Sequence, residues 1–173
     1  KGGAGCCCGS TLPKGIAAEM AGYRTDDLDG VPVDAVESSF GCGNPLALQG
    51  IEEGQTVLDL GSGAGLDLII EAKRVGPTGR VIGVDMTDEM ILRAQRNIYQ
   101  AGVENVEVRK GIIEALPVKN EEVDWVISNC VINLSPEKDT VFAEIERVLR
   151  PGGRISVSDI VANELPDWVL VNG

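Results

Sequence analysis

The sequence predicts an α/β domain built on a doubly wound, mostly parallel sheet. Three observations predict it. From Gln55 onward short apolar runs alternate with amphipathic stretches, a glycine-rich turn follows the first run, and the carboxylate of Asp85 closes the second. At 173 residues the chain is long enough for one domain that buries about two thirds of its unfolded surface.

Residues 1–50 read as a Cys-containing leader and cap segment, and residues 51–173 as the α/β domain proper. "KGGAGCCCGS" is too rich in glycine to hold one conformation. "PKGIAAEMAGY" suits a short helix, and the acidic, turn-rich "TDDLDGVPVDAVESSFGCGNP" suits a loop with a brief helix at Val33–Ser38. "TVLDL" is the first buried strand, and "LDLIIEAKRVG" after it carries helical spacing with Gly76 as its stop. "RVIGVDM" is the second strand. Thr87 is placed to cap the next helix, with Asp88 and Glu89 in a first turn whose dipole favours them. Met90, Ala94, Ile98 and Ala101 stripe that helix, and Gly102 ends it. "NVEVRKG" and "VDWVIS" are the third and fourth strands. Ser135-Pro136 opens a last helix with Val141, Ile145, Val148 and Leu149 on its apolar side. "RPGGR" breaks it, and "ISVSDI" is the fifth strand.

Composition narrows the chemistry. Fifteen Lys and Arg against 27 Asp and Glu leave a net charge of -12, which repels nucleic acid and anionic membrane. No apolar run is long enough to span a bilayer, and Lys1 opens no recognisable leader, so no signal peptide is expected. The five cysteines are an odd number with three in a row, a poor disulfide framework, and point to working thiols in a reducing cytoplasm. Absence of histidine removes Ser-His-Asp catalysis and imidazole-ligated zinc together.

"VLDLGSGAGLD" sets Gly61, Gly63 and Gly65 at the carboxyl end of the first strand, where open α/β sheets bind ligands. A tight βα turn is the plain alternative. Asp85, twenty residues beyond Gly65, suits both hydroxyls of a ribose. The spacing departs from the dinucleotide fingerprint G-x-G-x-x-G, and Asp59 and Asp67 flank the loop. Two carboxylates repel a pyrophosphate but suit an ammonium and a sulfonium, so the charge favours S-adenosylmethionine over a nicotinamide dinucleotide.

"VLDLGSGAGLD", "VIGVDMTDEM", "GIIEALP", "VDWVISNCVINL" and "RVLRPGGRISVSDI" resemble the successive motifs of class I S-adenosylmethionine-dependent methyltransferases. More narrowly, "SSFGCGNP", "VDMTDEM", "SNCVINLSPEK" and the leading "CCCG" resemble the arsenite methyltransferases. The resemblance implies that Asp59, Gly61, Ser62 and Gly63 hold the methionine end of the donor. It assigns the ribose to Asp85, the adenine to Met86, Ile113 and Glu114, and a place in the donor pocket to Asn129. Met86 and Ile113 read equally well as core. Cys42 and Cys130 become the catalytic thiols and, with Cys7 and Cys8, the arsenic ligands. Cys6 fits least well, and Phe40 becomes a wall of the donor site. The family's members continue past the fifth strand, and nothing after "ISVSDI" matches that region, so the chain is expected to be the donor-binding portion.

Arsenite, or its thiol conjugates, suits this chemistry because trivalent arsenic is soft and prefers thiolates. Three sulfurs leave it a lone pair that attacks a sulfonium methyl with no proton to remove. Such a transfer asks for positioning rather than a base. A cellular dithiol is the expected reductant. Cys130 alone reads as a small buried hydrophobe and "CCC" as an incidental tail. A small organic acceptor, or a non-catalytic arsenic- or metal-binding protein on the same fold, remain the alternatives.

Overall fold

The computed structural model describes residues 22–39, 43 and 50–159. Five strands form the sheet: β1 (Thr56–Leu60), β2 (Arg80–Asp85), β3 (Val106–Lys110), β4 (Val123–Asn129) and β5 (Leu149–Ser158). Their order is β3-β2-β1-β4-β5, and every neighbouring pair is parallel. The chain steps outward from β1 in one direction, then returns to β1's other side with β4. That reversal makes β1 and β4 a topological switch point, with a crevice beyond their carboxyl ends.

The helices are α1 (Val33–Glu37), α2 (Leu66–Val75), α3 (Asp88–Ala101) and α4 (Lys138–Val148). The alternation of strand side chains divides the interior in two. Val57, Val81, Trp125 and Ile127 pack with α2 and α3 on one face. Leu58, Leu60, Ile82, Val84 and Val126 pack with Val141, Ile145 and Val148 of α4 on the other. Helix α2 lies deepest, because its apolar residues leave little room for a polar face. Leu68 is fully buried, and its methyl carbons stand 2.7 and 2.9 Å from where a Cβ on Gly83 would be. Leu68→Ala there costs about 2–5 kcal/mol by the usual cavity penalty. Gly76 ends the helix in positive φ, as read from the sequence. Asn105 completes that end by donating its amide to the carbonyls of Ala72 (3.1 Å) and Gly76 (2.8 Å).

The architecture agrees with the sequence prediction, with four local corrections. Thr87 stands at the N-cap but makes no capping bond; its hydroxyl donates instead to Asp85 Oδ1 at 2.7 Å. Helix α4 begins at Lys138 rather than Pro136, since Ser135 and Glu137 are held in an ST-type turn by a 3.1 Å bond from the Glu137 amide to the Ser135 hydroxyl. Leu149 belongs to β5, opposite Val123. The Pro151-Gly152-Gly153 stretch does not end pairing but shifts its register before Arg154 meets Trp125. Finally, β3 and β4 are joined without a helix, through a segment carrying one isolated bridge between Ile112 and Ala115.

Candidate active site

The three glycines after β1 adopt positive φ: 67° at Gly61, 50° at Gly63 and 88° at Gly65. Side-chain-bearing residues rarely adopt that region, so the loop needs glycine for its turn. Space imposes a second demand. A Cβ on Gly61 would lie 2.8 Å from Val131 Cγ2, which means the loop is pressed against the turn that follows β4.

A cavity of about 530 Å³ opens there, at the carboxyl ends of β1, β2 and β4. It is lined by Asp59, Gly61, Ser62, Gly63, Asp85, Met86, Ile113, Glu114, Asn129 and Cys130. These are the nine residues expected to hold a methyl donor and one of the two expected catalytic thiols. Cys42, Cys6, Cys7, Cys8 and Phe40 lie outside the described residues. The cavity also takes in Ala35, Ser38 and Ser39 from α1 and its end. Sequence reasoning had no means to place them, since α1 reaches the cavity through tertiary packing, on α3 among other elements. That contact is fastened by Asn97, which donates to Asp34 Oδ2 (3.2 Å) and to the Ala64 carbonyl (2.9 Å).

The backbone donors of the loop are largely committed. The Gly61 and Ser62 amides both donate to the Val84 carbonyl (2.8 and 3.1 Å), and the Gly63 amide to Asp85 Oδ2 (3.0 Å). Asp85 Oδ1 accepts from the Thr87 amide at 2.9 Å as well as from its hydroxyl. Asp85 therefore fixes the loop to the end of β2 while still lining the cavity. Glu114 is oriented by the Ser135 hydroxyl, which donates to its Oε1. Of the two doubtful apolar residues, Ile113 is 9% exposed and shared with the core, whereas Met86 is 66% exposed at the cavity rim. Met86 is not core, since it packs on no interior cluster.

The charge of the cavity is one-sided. Asp59 is buried, and desolvation, then Glu71, Asp67 and Asp85, push its carboxyl well above the usual range. Glu71, behind it on α2, is fully buried, and among the described residues neither carboxylate oxygen is hydrogen-bonded; burial and Asp67 raise it, and Arg74 opposes. Asp67 is raised by burial against the lowering effect of bonds from Tyr23, Asn129 and the charge of Arg74. Buried carboxylates facing an apolar cavity want a cation. Among the described residues, no three His, Cys, Asp or Glu side chains gather closely enough to hold a metal ion. An organic cation bearing an ammonium and a sulfonium fits the donor set better.

Asn129 points into the protein more than was expected. Its amide nitrogen lies 3.2 Å from the Tyr23 hydroxyl, 3.0 Å from the Gly43 carbonyl and 3.3 Å from Asp67 Oδ2. Tyr23 in turn donates to Asp67 Oδ1 at 2.6 Å. Cys130, the next residue, sits at φ 59°, an unusual conformation for a side-chain-bearing residue, and its amide donates to the Ser158 carbonyl at 2.8 Å. Such strain collects at functional sites. Its sulfur is in a disulfide, so it must be reduced before it can bind anything else.

Comparison with known proteins places these features. A family described as "Methyltransferase domain" matches residues 51–170. An arsenite methyltransferase of Halobacterium salinarum is 52% identical over 99% of this chain and 43% of its own length. The Mus musculus arsenite methyltransferase is 37% identical over 87% of this chain and 42% of its own length. Among solved structures, an arsenic(III) S-adenosylmethionine methyltransferase from Chlamydomonas reinhardtii superposes with a TM-score of 0.70 at 39% identity. That match covers 92% of this chain and 53% of the other. The chain thus spans less than half the length of these curated relatives.

Proposed function

This chain belongs to the methyltransferase domain family, and from that premise we propose that it binds S-adenosylmethionine and transfers methyl groups to thiolate-bound trivalent arsenic. One observation carries the reading. The cavity at the switch point joins a buried, uncompensated Asp59 to the strained turn that bears Cys130. The relatives named for arsenite methylation support the choice of substrate.

Bound S-adenosylmethionine supplies an electrophilic methyl on a sulfonium centre. Asp59 offers a carboxyl whose ionisation the positive end of that donor would favour, since burial and its neighbours Glu71 and Asp67 raise it in the absence of a cation. Gly61, Ser62 and Gly63 let the backbone come close, Asp85 and Glu114 offer oriented carboxylates to ribose and adenine, and Met86 and Ile113 form apolar walls. Met86's exposure leaves its thioether free to pack on a ring. Cys42 and Cys130, joined by Cys7 or Cys8, hold arsenite as substrate. No residue has to remove a proton from the nucleophile, so a chain without histidine loses nothing. A dithiol must first reduce the Cys130 disulfide, and a reducing cytoplasm is the compartment that would keep the thiolate available for arsenic. None of the described helices is long and apolar enough to cross a membrane.

Calorimetric titration of the reduced chain tests this directly. S-Adenosylmethionine is expected to bind, and arsenite to bind with an affinity that drops about tenfold or more in Cys42→Ser and in Cys130→Ser. Equal arsenite affinity in all three proteins would remove arsenic as the substrate.

A further inference from the structure

We infer that Ser135 is a positioning residue that sets the base preference of the donor cavity: by holding one oxygen of Glu114, it aims the other at a 6-amino purine and sets it against a 6-oxo purine. The inference rests on the reading of the cavity as a site for S-adenosylmethionine and deepens it. Its basis is the bonding of two side chains that the fold brings together. Ser135 is 4% exposed, and among the described residues its hydroxyl is the one hydrogen-bond partner of Glu114. Both residues line the cavity.

The hydroxyl is not free to turn. Its oxygen accepts from the Glu137 amide at 3.1 Å, which leaves its hydrogen for Oε1 of Glu114. The Ser135 backbone is fixed as well: its amide donates to the Ile132 carbonyl (3.2 Å), and its carbonyl accepts from Lys138 Nζ (2.8 Å). The backbone that carries Glu114 is secured elsewhere. The Gly111 amide donates to the Asp85 carbonyl (3.0 Å), the Leu116 amide to Glu144 Oε2 (2.7 Å), and Arg147 donates to the Leu116 carbonyl (3.1 Å). What Ser135 adds is therefore not the place of Glu114 but the setting of its carboxylate, which the side-chain torsions would otherwise leave free.

A carboxylate only accepts hydrogen bonds. With Oε1 engaged, Oε2 is the atom left for a ligand. Ile112 and Ile113 beside Glu114 in the chain, with Leu134 and Pro136 beside Ser135, give that part of the cavity apolar walls suited to a flat ring. Adenine presents a 6-amino donor to such an oxygen. A 6-oxo purine presents a carbonyl there and carries its hydrogen one position round the ring, at N1. A carboxylate that swings can follow that hydrogen; one held by Ser135 cannot. A site built on one oriented acceptor rejects a ligand that lacks the matching donor.

Titration calorimetry with S-adenosylhomocysteine and S-inosylhomocysteine, which lack the reactive methyl, tests this without turnover. The parent chain is expected to favour the adenosyl compound by about a hundredfold or more. Ser135→Ala is expected to weaken the adenosyl compound about tenfold and the inosyl compound by less than about twofold, so that the preference narrows. Ser135→Thr, which keeps a hydroxyl, is expected to restore the parent's preference. Glu114→Gln is expected to reverse it, since Ser135 still engages the side-chain oxygen and turns the amide nitrogen toward the base. If Ser135→Ala weakens both compounds alike, Ser135 only supports the fold and the inference is wrong, while the donor reading stands. A parent that binds both compounds equally well overturns it in the same way. If the parent binds neither compound, nor S-adenosylmethionine, the donor reading fails and the inference falls with it.

Discussion

Glu71 shows at the residue scale how far a single side chain can depart from ordinary rules. Among the described residues both of its oxygens are buried without a hydrogen-bond partner, beside Asp67 and Asp59, with Arg74 as the opposing charge. Its folded-state carboxyl is raised, so between the unfolded value near 4.3 and the raised one the folded protein holds more protons than the unfolded chain. Stability contributed by Glu71 is therefore complete at low pH and lost as pH rises. Glu71→Gln is expected to raise stability by about 1–3 kcal/mol at about pH 8, with the gain vanishing toward about pH 4. Urea titrations across that range check it; a gain that is the same at both ends would mean that ionisation is not the cause. Asp59 and Asp67 shift in the same direction, so the variant keeps a shallower version of the parent's pH slope. Little of this was legible beforehand. The sequence shows Glu71 on a helix after Asp67, but burial depends on what packs over it. Asp85 and Gly61 were legible because strand ends and left-handed turns restrict which residues can serve there. The partners of Asn129 were not, since they arrive from positions 106 and 86 residues away.

The glycine loop and the turn after β4 behave as one element. Gly61 is held by φ 67° and by Val131, whose methyl carbons approach within 2.8 and 3.3 Å of where a Cβ would be. Gly61→Ala therefore meets two obstacles, a backbone conformation alanine disfavours and a collision that pushes the Cys130 turn outward. The expected cost is about 1–3 kcal/mol of stability, with loss of S-adenosylmethionine binding. Thermal melts and a binding titration check both; a variant that binds the donor normally would show that loop and turn move independently. Helix and strand identities could be read from periodicity, because α2, α3 and α4 each turn an apolar side inward. Their ends could not. The start of α4 was settled by the Ser135–Glu137 turn, and the start of β5 by the pairing of Leu149 with Val123 across a register shift. The second depends on a partner 26 residues away that no local pattern encodes, and the first on a hydroxyl that competes with the helix for the Glu137 amide.

At the scale of the molecule, charge and packing act in opposite senses. A net charge of -12 makes the folded chain repel itself, while its ion pairs lie mostly at the surface. The strongest of these networks joins Arg80, Arg109, Glu107 and Glu122, and hydrogen bonds from Arg109 and Arg80 draw Glu107 down to about 2. Exposed pairs contribute little each, so screening the excess negative charge outweighs weakening them. The melting temperature is expected to rise by several degrees between about 0.05 and about 1 M potassium chloride. A flat or falling curve would show that the ion pairs, not the repulsion, dominate.

The sheet order has a consequence for how the chain is made. Strand β1 sits in the middle, yet the amide of Thr56 at its start finds its partner on Asp124, 68 residues later. As the polypeptide leaves the ribosome, β1, β2 and β3 can close on one another while β1's other edge stays bare. Slowed translation between Lys110 and Val123 would lengthen that interval and favour capture by holdase chaperones or misassembly with a neighbouring nascent chain.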